Sequence, residues 1–213
     1  MVPPDVAWQP SLLDGAEPAL DPSFSTLVRI DLDDECWVDY APGWVSGSDR
    51  LFDELAAGTD WGQRTRRMFD RRVQEPRLTA SWKQASGQPL SPPVLEEMRA
   101  ALSERYGVEL DSMGLNLYRD GRDSVAWHGD RISKEIERPV VALVSLGSPR
   151  RFLLRLRGAS GCSRPFELGR GDLLVTGGLT QRRWQHSVPK VASAAGPRIS
   201  LAFRHGMSPA VYE

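Results

Sequence analysis

The sequence predicts an α+β fold that is mainly β, with a mixed α and β N-terminal part at about residues 1–107 and an antiparallel β core at about residues 108–213. After Gly107, short apolar runs recur between turns rich in Gly, Pro and Asp, which is typical of a β-sandwich or barrel. Before Gly107, two segments show helical spacing of apolar residues. A chain of 213 residues, 40% of them hydrophobic, can bury a core of its own, so we expect one compact unit.

The N-terminal part is expected to alternate extended and helical segments. Residues 1–26 are rich in Pro, Asp and Ser, and they predict an irregular leader. Residues 27–32 and 36–40 predict two short strands around an acidic turn. Residues 61–82 interleave aromatic and basic side chains around a proline, and we interpret them as short strands and loops.

Two segments predict helices. In residues 46–57, leucine and phenylalanine recur at helical spacing, and Ser48 is the candidate N-cap. Residues 92–106 give the clearer pattern, because Ser91 is a candidate N-cap, prolines occupy the first turn and Gly107 ends the helix.

Seven apolar runs predict the strands of the core. Each is short, bounded by turn residues and rich in aliphatic or aromatic side chains, as expected of strands in a packed β structure. The runs are residues 113–118, 125–128, 140–146, 152–156, 172–176, 185–188 and 199–203.

The charge distribution allows a nucleic-acid partner that the net charge of −1 would argue against. Residues 1–60 hold 13 acidic and 2 basic residues, whereas residues 61–83 hold 7 basic and 2 acidic ones. All but three of the 27 basic residues are arginines, and arginine suits planar recognition of phosphates and carboxylates. A GC-rich genome explains an arginine excess equally well, so composition alone leaves both explanations open.

The sequence predicts neither a membrane-spanning helix nor a secretory signal. No stretch approaches about 18 uninterrupted apolar residues, and the first residues lack the basic and apolar regions of a secretory signal. Cys36 and Cys162 form neither a disulfide framework nor a zinc-binding spacing. We therefore expect a cytoplasmic protein with no membrane partner, and we expect it to be a monomer.

The sharpest motif is Trp127-His128-Gly129-Asp130, followed 58 positions after its histidine by His186. On a strand, His128 and Asp130 leave the same face because side chains alternate. Two imidazoles and one carboxylate can form the facial triad of non-haem Fe(II) oxygenases, which leaves positions for a co-substrate and oxygen. Unrelated structural histidines and a zinc site stay open as alternatives at this point.

A second pattern lies in residues 198–204, which predict a strand with two unlike faces. Arg198 and Arg204 fall on one face and three large apolar side chains on the other. Two arginines aimed into a barrel need an anionic partner, and a dicarboxylate supplies one. Asn116 and Tyr118 also share a strand face and can donate hydrogen bonds. The alternative is an amphipathic edge strand with solvated arginines.

Six blocks of the sequence together resemble the AlkB family of 2-oxoglutarate- and Fe(II)-dependent dioxygenases. The resemblance covers about residues 75–204, in the family's order and spacing. The matching blocks are residues 116–121, 127–130, 144–147 with 151–152, 171–178, 186–189 and 198–204.

The resemblance implies a double-stranded β-helix, or jelly roll, with Fe(II) at one mouth and with N-terminal helices and a nucleotide-recognition lid. The metal ligands that it implies are His128, Asp130 and His186. It also implies that Arg198, helped by Tyr118, pairs with the distal carboxylate of 2-oxoglutarate, while Arg204 holds the carboxylate nearer the metal. The full set implied for 2-oxoglutarate is Asn116, Tyr118, Arg198, Ser200 and Arg204.

The activity implied is oxidative dealkylation of N-alkylated nucleobases, a direct-reversal DNA repair that releases formaldehyde, succinate and CO2. Fe(II), 2-oxoglutarate and O2 are the expected cofactors, and no catalytic residue is expected beyond the metal centre. Alkylated DNA is the expected partner, with RNA as an alternative.

In this family the segment before the core grips the nucleotide, and here it maps to a basic lid segment at about residues 61–83. Arginines there suit phosphates, and aromatic side chains suit stacking on an extruded base. For any single aromatic residue, packing of the lid onto the barrel is the competing explanation. The candidate substrate-binding residues are Trp61, Arg66, Arg67, Phe69, Arg77, Trp82 and Arg131.

Two positions depart from the family's pattern. Ile132 lies two positions after Asp130, where well-studied members carry an acidic residue that helps to read the base, so base preference does not carry over. Ser200 stands where Asn is frequent and keeps a hydroxyl for the co-substrate. The same chemistry on RNA, a protein or a small molecule therefore stays open. A non-catalytic nucleic-acid-binding jelly roll would not be expected to keep an intact triad and both arginines, and a zinc hydrolase leaves the two inward arginines unexplained.

Overall fold

The computed structural model describes residues 16–68, 71–192 and 195–206. Its N-terminal elements are β1 (Ala19–Leu20), β2 (Val28–Asp31), β3 (Cys36–Ala41), β4 (Val45–Ser46), α1 (Ser48–Gly58), β5 (Thr65–Met68), β6 (Arg71–Gln74), β7 (Leu78–Lys83), a 3₁₀ turn (Gln84–Ser86) and α2 (Val94–Tyr106). The later elements are β8 (Ser112–Tyr118), β9 (Val125–His128), β10 (Val141–Gly147), β11 (Arg150–Leu156), β12 (Arg164–Leu168), β13 (Asp172–Gly178), the single turn α3 (Thr180–Arg183), β14 (Trp184–Val188) and β15 (Arg198–Arg204).

Two antiparallel sheets form the body of the protein. The larger has the strand order β2-β3-β13-β10-β15-β8-β7, and the smaller has the order β12-β11-β14-β9. From β8 to β15 the chain passes back and forth between the sheets, with β8, β10, β13 and β15 in the larger and the others in the smaller, which is jelly-roll topology. The prediction of a mainly β fold is confirmed.

The N-terminal part contributes to the larger sheet. β2 and β3 extend it at one edge, and β7 extends it at the other by pairing with β8. The strands β5 and β6 form a separate hairpin, which we call the basic hairpin. Strands from before and after Gly107 therefore share one sheet. The division of the chain into two parts near Gly107 stays a prediction from the sequence.

The apolar core lies on both faces of the larger sheet. An outer cluster packs this sheet against α1 and α2, with Phe52, Met98 and Phe203 among its buried members. An inner cluster fills the space between the two sheets, with Phe152 from the smaller sheet and Ala202 from the larger. Burial of this much apolar surface on both faces fixes the register of the central strands, because a one-residue slip would exchange the two faces.

The predicted helices form, but neither begins where the sequence suggests. Ser48 is the first residue of α1 rather than its N-cap, and it follows Gly47 in a left-handed conformation. α2 begins at Val94, and no side chain caps it, because the backbone carbonyls of Pro92 and Pro93 accept hydrogen bonds from its first N–H groups. Gly107 ends α2 in the left-handed conformation, as predicted. Among the described helices, none is long and apolar enough to cross a bilayer.

One core strand is absent from the sequence prediction. β12 has the sequence RPFEL, whose proline and charges conceal it. It lies at the edge of the smaller sheet, and an edge strand tolerates proline because one side of its backbone needs no partner.

Candidate metal and co-substrate site

The predicted metal ligands meet at one end of the smaller sheet. His128 ends β9 and lies opposite His186 of the neighbouring strand β14. Their ring centroids are 4.2 Å apart, and one ligand atom from each histidine and from Asp130 lies within 4.8 Å of the others. The expectation that His128 and Asp130 share a strand is wrong, because β9 stops at His128 and Asp130 follows in a loop. The loop nevertheless returns the carboxylate to the two imidazoles.

The surroundings of the histidines favour neutral imidazoles. Nδ1 of His128 lies 2.9 Å from the carbonyl oxygen of Ala126, which only accepts hydrogen bonds, so the ring proton belongs on Nδ1 and Nε2 keeps its lone pair. Burial lowers the pKa of His128, and burial lowers the pKa of His186 to about 3, despite the opposing charge of Asp130. Neutral imidazole is the form that binds a metal.

Asp130 offers an ionised oxygen with an unmet bonding capacity. Its Oδ1 accepts a hydrogen bond of 3.0 Å from Nη2 of Arg204, whereas its buried Oδ2 has no hydrogen-bond partner among the described residues. Burial alone would raise the pKa of Asp130, but the charge of Arg204 and its hydrogen bond to the carboxylate outweigh this effect, and the pKa is lowered to about 2. A bare carboxylate oxygen beside two imidazole nitrogens fits a divalent cation, and this donor set suits Fe(II).

The strand that carries Arg198 and Arg204 lies inside the larger sheet, so the alternative of an edge strand with solvated arginines is wrong. β15 lies between β10 and β8 in the larger sheet. Its apolar residues, Ile199, Leu201 and Phe203, are all buried in the outer cluster. Its other face therefore points toward the inner space between the sheets, as Ala202 of the inner cluster shows. In the register with β8, Arg198 lies opposite Tyr118, and the other cross-strand pairs on this face are Ser200 with Asn116, Ala202 with Gly114 and Arg204 with Ser112.

Arg198 is a buried cation that no carboxylate of the described residues contacts. Its side chain is fully enclosed, its Nε donates to Oγ of Ser145 at 2.8 Å, and its Nη1 has no hydrogen-bond partner in the part of the chain that the structure describes. Burial lowers its pKa to about 10, which still leaves it protonated at neutral pH. Its guanidinium carbon lies 5.4 Å from the ring centroid of Tyr118. A carboxylate placed here would meet an open donor in a site shielded from water.

Arg204 reaches the metal ligands through a gap that a glycine leaves. A Cβ at Gly114 would lie 2.7 Å from Nη1 of Arg204, so only glycine leaves this path open without a shift of the arginine. Ser200 lies buried on the same face of β15, between the two arginines. Asn116 is also at this site, where its Oδ1 accepts a hydrogen bond of 2.9 Å from Nε of Arg77.

The structure also contains a buried arginine that the sequence prediction misses. Arg150 begins β11 and is 2% exposed, with its guanidinium carbon 5.7 Å from the ring centroid of Tyr118. Its neighbour Arg151 is exposed and pairs with Glu167. Alternation along β11 was the available signal, because Arg150 shares its strand face with the inner-cluster residues Phe152 and Leu154.

The predicted substrate residues divide into two groups, and the first lies near the site or in the basic hairpin. Arg77 donates to Asn116 and forms an ion pair of 3.0 Å with Glu75, whose N–H in turn donates to the carbonyl of Arg64 at the base of the basic hairpin. Arg131 is exposed directly after Asp130. Arg66 and Arg67 lie in β5 of the basic hairpin, and Phe69 lies outside the described residues.

The second group consists of two tryptophans that the structure does not bring to the metal ligands. Trp61 packs against the outer cluster and donates its indole N–H to the carbonyl of Ala56 in α1. Trp82 also packs against the outer cluster, opposite Met113 of β8. Both placements favour packing over stacking on a base. Ile132, at the position where well-studied family members carry an acidic residue, is buried in the inner cluster and presents no polar group.

Comparison with known proteins decides the family. A family model described as the 2OG-Fe(II) oxygenase superfamily matches residues 49–204. The alpha-ketoglutarate-dependent dioxygenase alkB homolog 3 of Bos taurus is 33% identical over 182 residues, which cover 76% of this chain. The chain belongs to the AlkB family. Fe(II), 2-oxoglutarate and O2 are therefore its cofactors, and the donor set of His128, Asp130 and His186 agrees with this.

A further sequence relative and a solved structure extend the comparison. The DNA oxidative demethylase ALKBH2 of Arabidopsis thaliana is 34% identical over 191 residues, which cover 72% of this chain. The chain spans 64% of the length of the bovine relative and 60% of the plant relative. A solved structure of OsALKBH1 superposes with a TM-score of 0.60 at 17% identity, covering 83% of this chain and 99% of that one, which supports the fold.

Proposed function

We propose that this AlkB-family protein oxidatively dealkylates N-alkylated nucleobases in DNA, a direct-reversal repair. The observation that carries the chemistry is a pair of buried polar atoms whose hydrogen-bonding capacity the described residues leave unmet. Asp130 presents a carboxylate oxygen and Arg198 a guanidinium nitrogen, both buried and both without hydrogen-bond partners among the described residues. A divalent cation satisfies the first and the distal carboxylate of a keto acid satisfies the second.

We assign His128, Asp130 and His186 as the residues that hold Fe(II). Bound together, Fe(II), 2-oxoglutarate and O2 supply the oxidation of the N-alkyl carbon, with one oxygen atom ending in succinate and the other in formaldehyde. For a methyl group, the overall change is N–CH3 + O2 + 2-oxoglutarate → N–H + CH2O + succinate + CO2. Arg204 holds Asp130 ionised and oriented throughout, through their hydrogen bond.

The remaining polar residues of the pocket hold the co-substrate. Arg198 receives the distal carboxylate beside the Tyr118 ring, in a site where burial strengthens the ion pair. Arg204 is assigned to the carboxylate nearer the metal, with Asn116 and Ser200 on the same inner face as hydrogen-bonding groups. The dry walls of the inner cluster exclude water from the reacting atoms.

The nucleic acid is proposed to bind through the basic hairpin and the arginines at the mouth of the site. Arg66 and Arg67 supply positive charge in the hairpin, Arg131 lies exposed beside the metal ligands, and Arg77 connects the hairpin base to Asn116. Such contacts position a strand without reading its sequence. The bovine and plant relatives carry names that describe a dioxygenase and a DNA oxidative demethylase, and these support the substrate class.

The test is succinate formation from 2-oxoglutarate with Fe(II), with and without a methylated single-stranded oligonucleotide, followed by mass spectrometry of the DNA. We expect stimulated turnover and a loss of 14 mass units, the difference between a methyl group and a hydrogen, per repaired base. The His186→Ala variant serves as the inactive control. Turnover without any change in the DNA would contradict the DNA substrate.

A second candidate keeps the chemistry but changes the substrate to RNA, a protein or a small molecule. Burial of Ile132 favours it, because the position that reads the base in well-studied relatives offers no polar group here. Parallel assays with methylated RNA and methylated peptides separate the two candidates. A cytoplasmic location, a monomeric state and the division of the chain near residue 107 accompany the proposal as predictions.

A further inference from the structure

Arg150 is a buried cation to which the proposed function assigns no role. Its Nη1 donates to the carbonyl of Asp120 at 3.0 Å, and its Nη2 donates to the carbonyls of Asp123 and Pro189 at 2.9 and 2.8 Å. Asp120 and Asp123 belong to the loop that follows β8, and Pro189 directly follows β14. One side chain therefore ties the end of the strand that carries Tyr118 to the end of the strand that carries His186.

Arg150 also adds charge to the co-substrate pocket. The guanidinium carbons of Arg150 and Arg198 lie 5.7 and 5.4 Å from the ring centroid of Tyr118, so two buried cations lie close to one phenol. Within the described ranges, no carboxylate accepts a hydrogen bond from either guanidinium, and Nε of Arg150 has no partner. Burial of paired cations without an anion is unfavourable, so the pocket strongly favours an anionic ligand.

The nearby carboxylates are already engaged. Asp123 forms an ion pair of 2.8 Å with Arg119, and Asp172 accepts hydrogen bonds from Tyr40 and from the backbone N–H of Gly43. Neither carboxylate hydrogen-bonds to Arg150 or Arg198, so among the described residues a ligand carboxylate would be the first anion in direct contact with these guanidinium groups.

We infer that Arg150 is a positioning residue for the distal carboxylate of 2-oxoglutarate. Its Nη atoms are held by three carbonyls, so they are not free to contact the co-substrate. It acts through Tyr118, by fixing the loop that follows this residue and by placing a second positive charge 5.7 Å from the ring centroid. The inference rests on the proposed 2-oxoglutarate site, and it deepens that site by adding a residue from the smaller sheet.

The test measures binding rather than turnover. Calorimetric titrations with Mn(II) in place of Fe(II) compare 2-oxoglutarate with 2-oxopentanoate, which has a methyl group where 2-oxoglutarate has its distal carboxylate. In Arg150→Met, the affinity for 2-oxoglutarate is expected to fall about tenfold, because a unit charge at this range acts across a medium of low effective dielectric constant. The affinity for 2-oxopentanoate is expected to stay within about twofold of the unmutated value.

Three further variants make the result decisive. Arg151→Met removes the exposed neighbour and is expected to bind both keto acids normally. Arg150→Lys keeps the charge and is expected to retain most of the preference for 2-oxoglutarate. Arg150→Gln keeps a donor for the carbonyls but loses the charge, so it is expected to lose the preference, and it decides the matter if Arg150→Met does not fold.

Each contrary result has a defined meaning. Equal weakening of both keto acids would show that Arg150 only supports the fold, and unchanged binding of both would show that it plays no part; either result overturns the inference. If the unmutated protein with Mn(II) does not bind 2-oxoglutarate, the proposed function fails, and the inference fails with it.

Discussion

At the scale of single residues, the site is defined by atoms whose bonding capacity the protein leaves unmet. Oδ2 of Asp130 and Nη1 of Arg198 are buried, and neither has a hydrogen-bond partner among the described residues. An unpaired buried group of this kind costs free energy, so it persists where a ligand supplies the partner. Asp130 carries a negative charge and Arg198 a positive one, so the first favours a cation as its ligand and the second favours an anion.

Replacement of Arg198 is predicted to impair the use of 2-oxoglutarate specifically. In Arg198→Met, loss of the buried donor should raise the KM for 2-oxoglutarate by about a hundredfold, because truncating one partner of a buried ion pair typically costs several kcal/mol. The measurement is succinate formation as a function of 2-oxoglutarate concentration. Arg151→Met, at an exposed position, is the matched control. An unchanged KM would remove Arg198 from the co-substrate site.

A methyl group at residue 114 is predicted to disturb the site without unfolding the protein. In Gly114→Ala, the new Cβ would lie 2.7 Å from Nη1 of Arg204, so this flexible side chain must move away from Asp130. We expect the midpoint of thermal unfolding to change by less than about 4 °C, which corresponds to about 1 kcal/mol, while Mn(II) binding weakens severalfold.

The control for this substitution is Gly58→Ala, at a position where a Cβ meets no atom within 4 Å. Calorimetric titration with Mn(II) compares the two variants. Equal metal affinity in both would show that Arg204 does not need its present path to hold Asp130.

At the scale of elements, parity along a strand proved more informative than residue type. In β15, alternation places the arginines on one face and the buried apolar side chains on the other, as the sequence predicts. The same argument identifies Arg150 as buried once the bounds of β11 are known, because it shares a face with Phe152 and Leu154. From the sequence alone, the adjacent arginines leave open which of the two faces the core. Trp61 and Trp82 show the limit of the approach, because aromatic residues in a basic segment suit both packing and stacking.

The basic hairpin is predicted to carry part of the affinity for nucleic acid. Replacement of Arg66, Arg67 and Arg71 by glutamine should weaken binding and reduce the slope of log K against log salt by about 2, because each phosphate contact releases about 0.7 counterion on single strands. Fluorescence anisotropy over a series of salt concentrations measures the slope.

The control replaces three arginines that are exposed elsewhere, namely Arg122, Arg138 and Arg151. It removes the same charge but is expected to leave most of the salt dependence intact. If both triple variants lose affinity equally, net charge rather than the hairpin determines binding.

At the scale of the whole molecule, ligand binding should be visible as stability. A metal and a co-substrate that bind only the folded protein stabilise it by mass action. With Mn(II) and 2-oxoglutarate each at about a hundred times its dissociation constant, the unfolding midpoint of the unmutated protein should rise by about 10–20 °C, because each ligand adds about 2.7 kcal/mol. Asp130→Ala should remove this shift, whereas Asp60→Ala, at an exposed position, should retain it. A full shift in Asp130→Ala would contradict the metal assignment.

The sequence predicts the architecture and the ligand set because both leave local patterns. Alternating apolar runs identify most core strands, and the spacing of His128 and Asp130 with a later histidine identifies the metal group. The extension of the larger sheet by β2, β3 and β7 depends on pairing between distant segments, which no local pattern encodes. Asp130 likewise reaches the metal site through the loop after β9, whereas the sequence argument relied on alternation along a strand.

The two faces of β15 separate two kinds of evolutionary constraint. Its outward side chains, Ile199, Leu201 and Phe203, hold the larger sheet to α1 and α2, and its inward side chains line the pocket. A combinatorial library that varies only positions 200 and 202 leaves the outward face untouched. Selection for a different keto acid can then act on the pocket while the packing against the helices keeps the scaffold folded, so this strand is a suitable place to begin directed evolution.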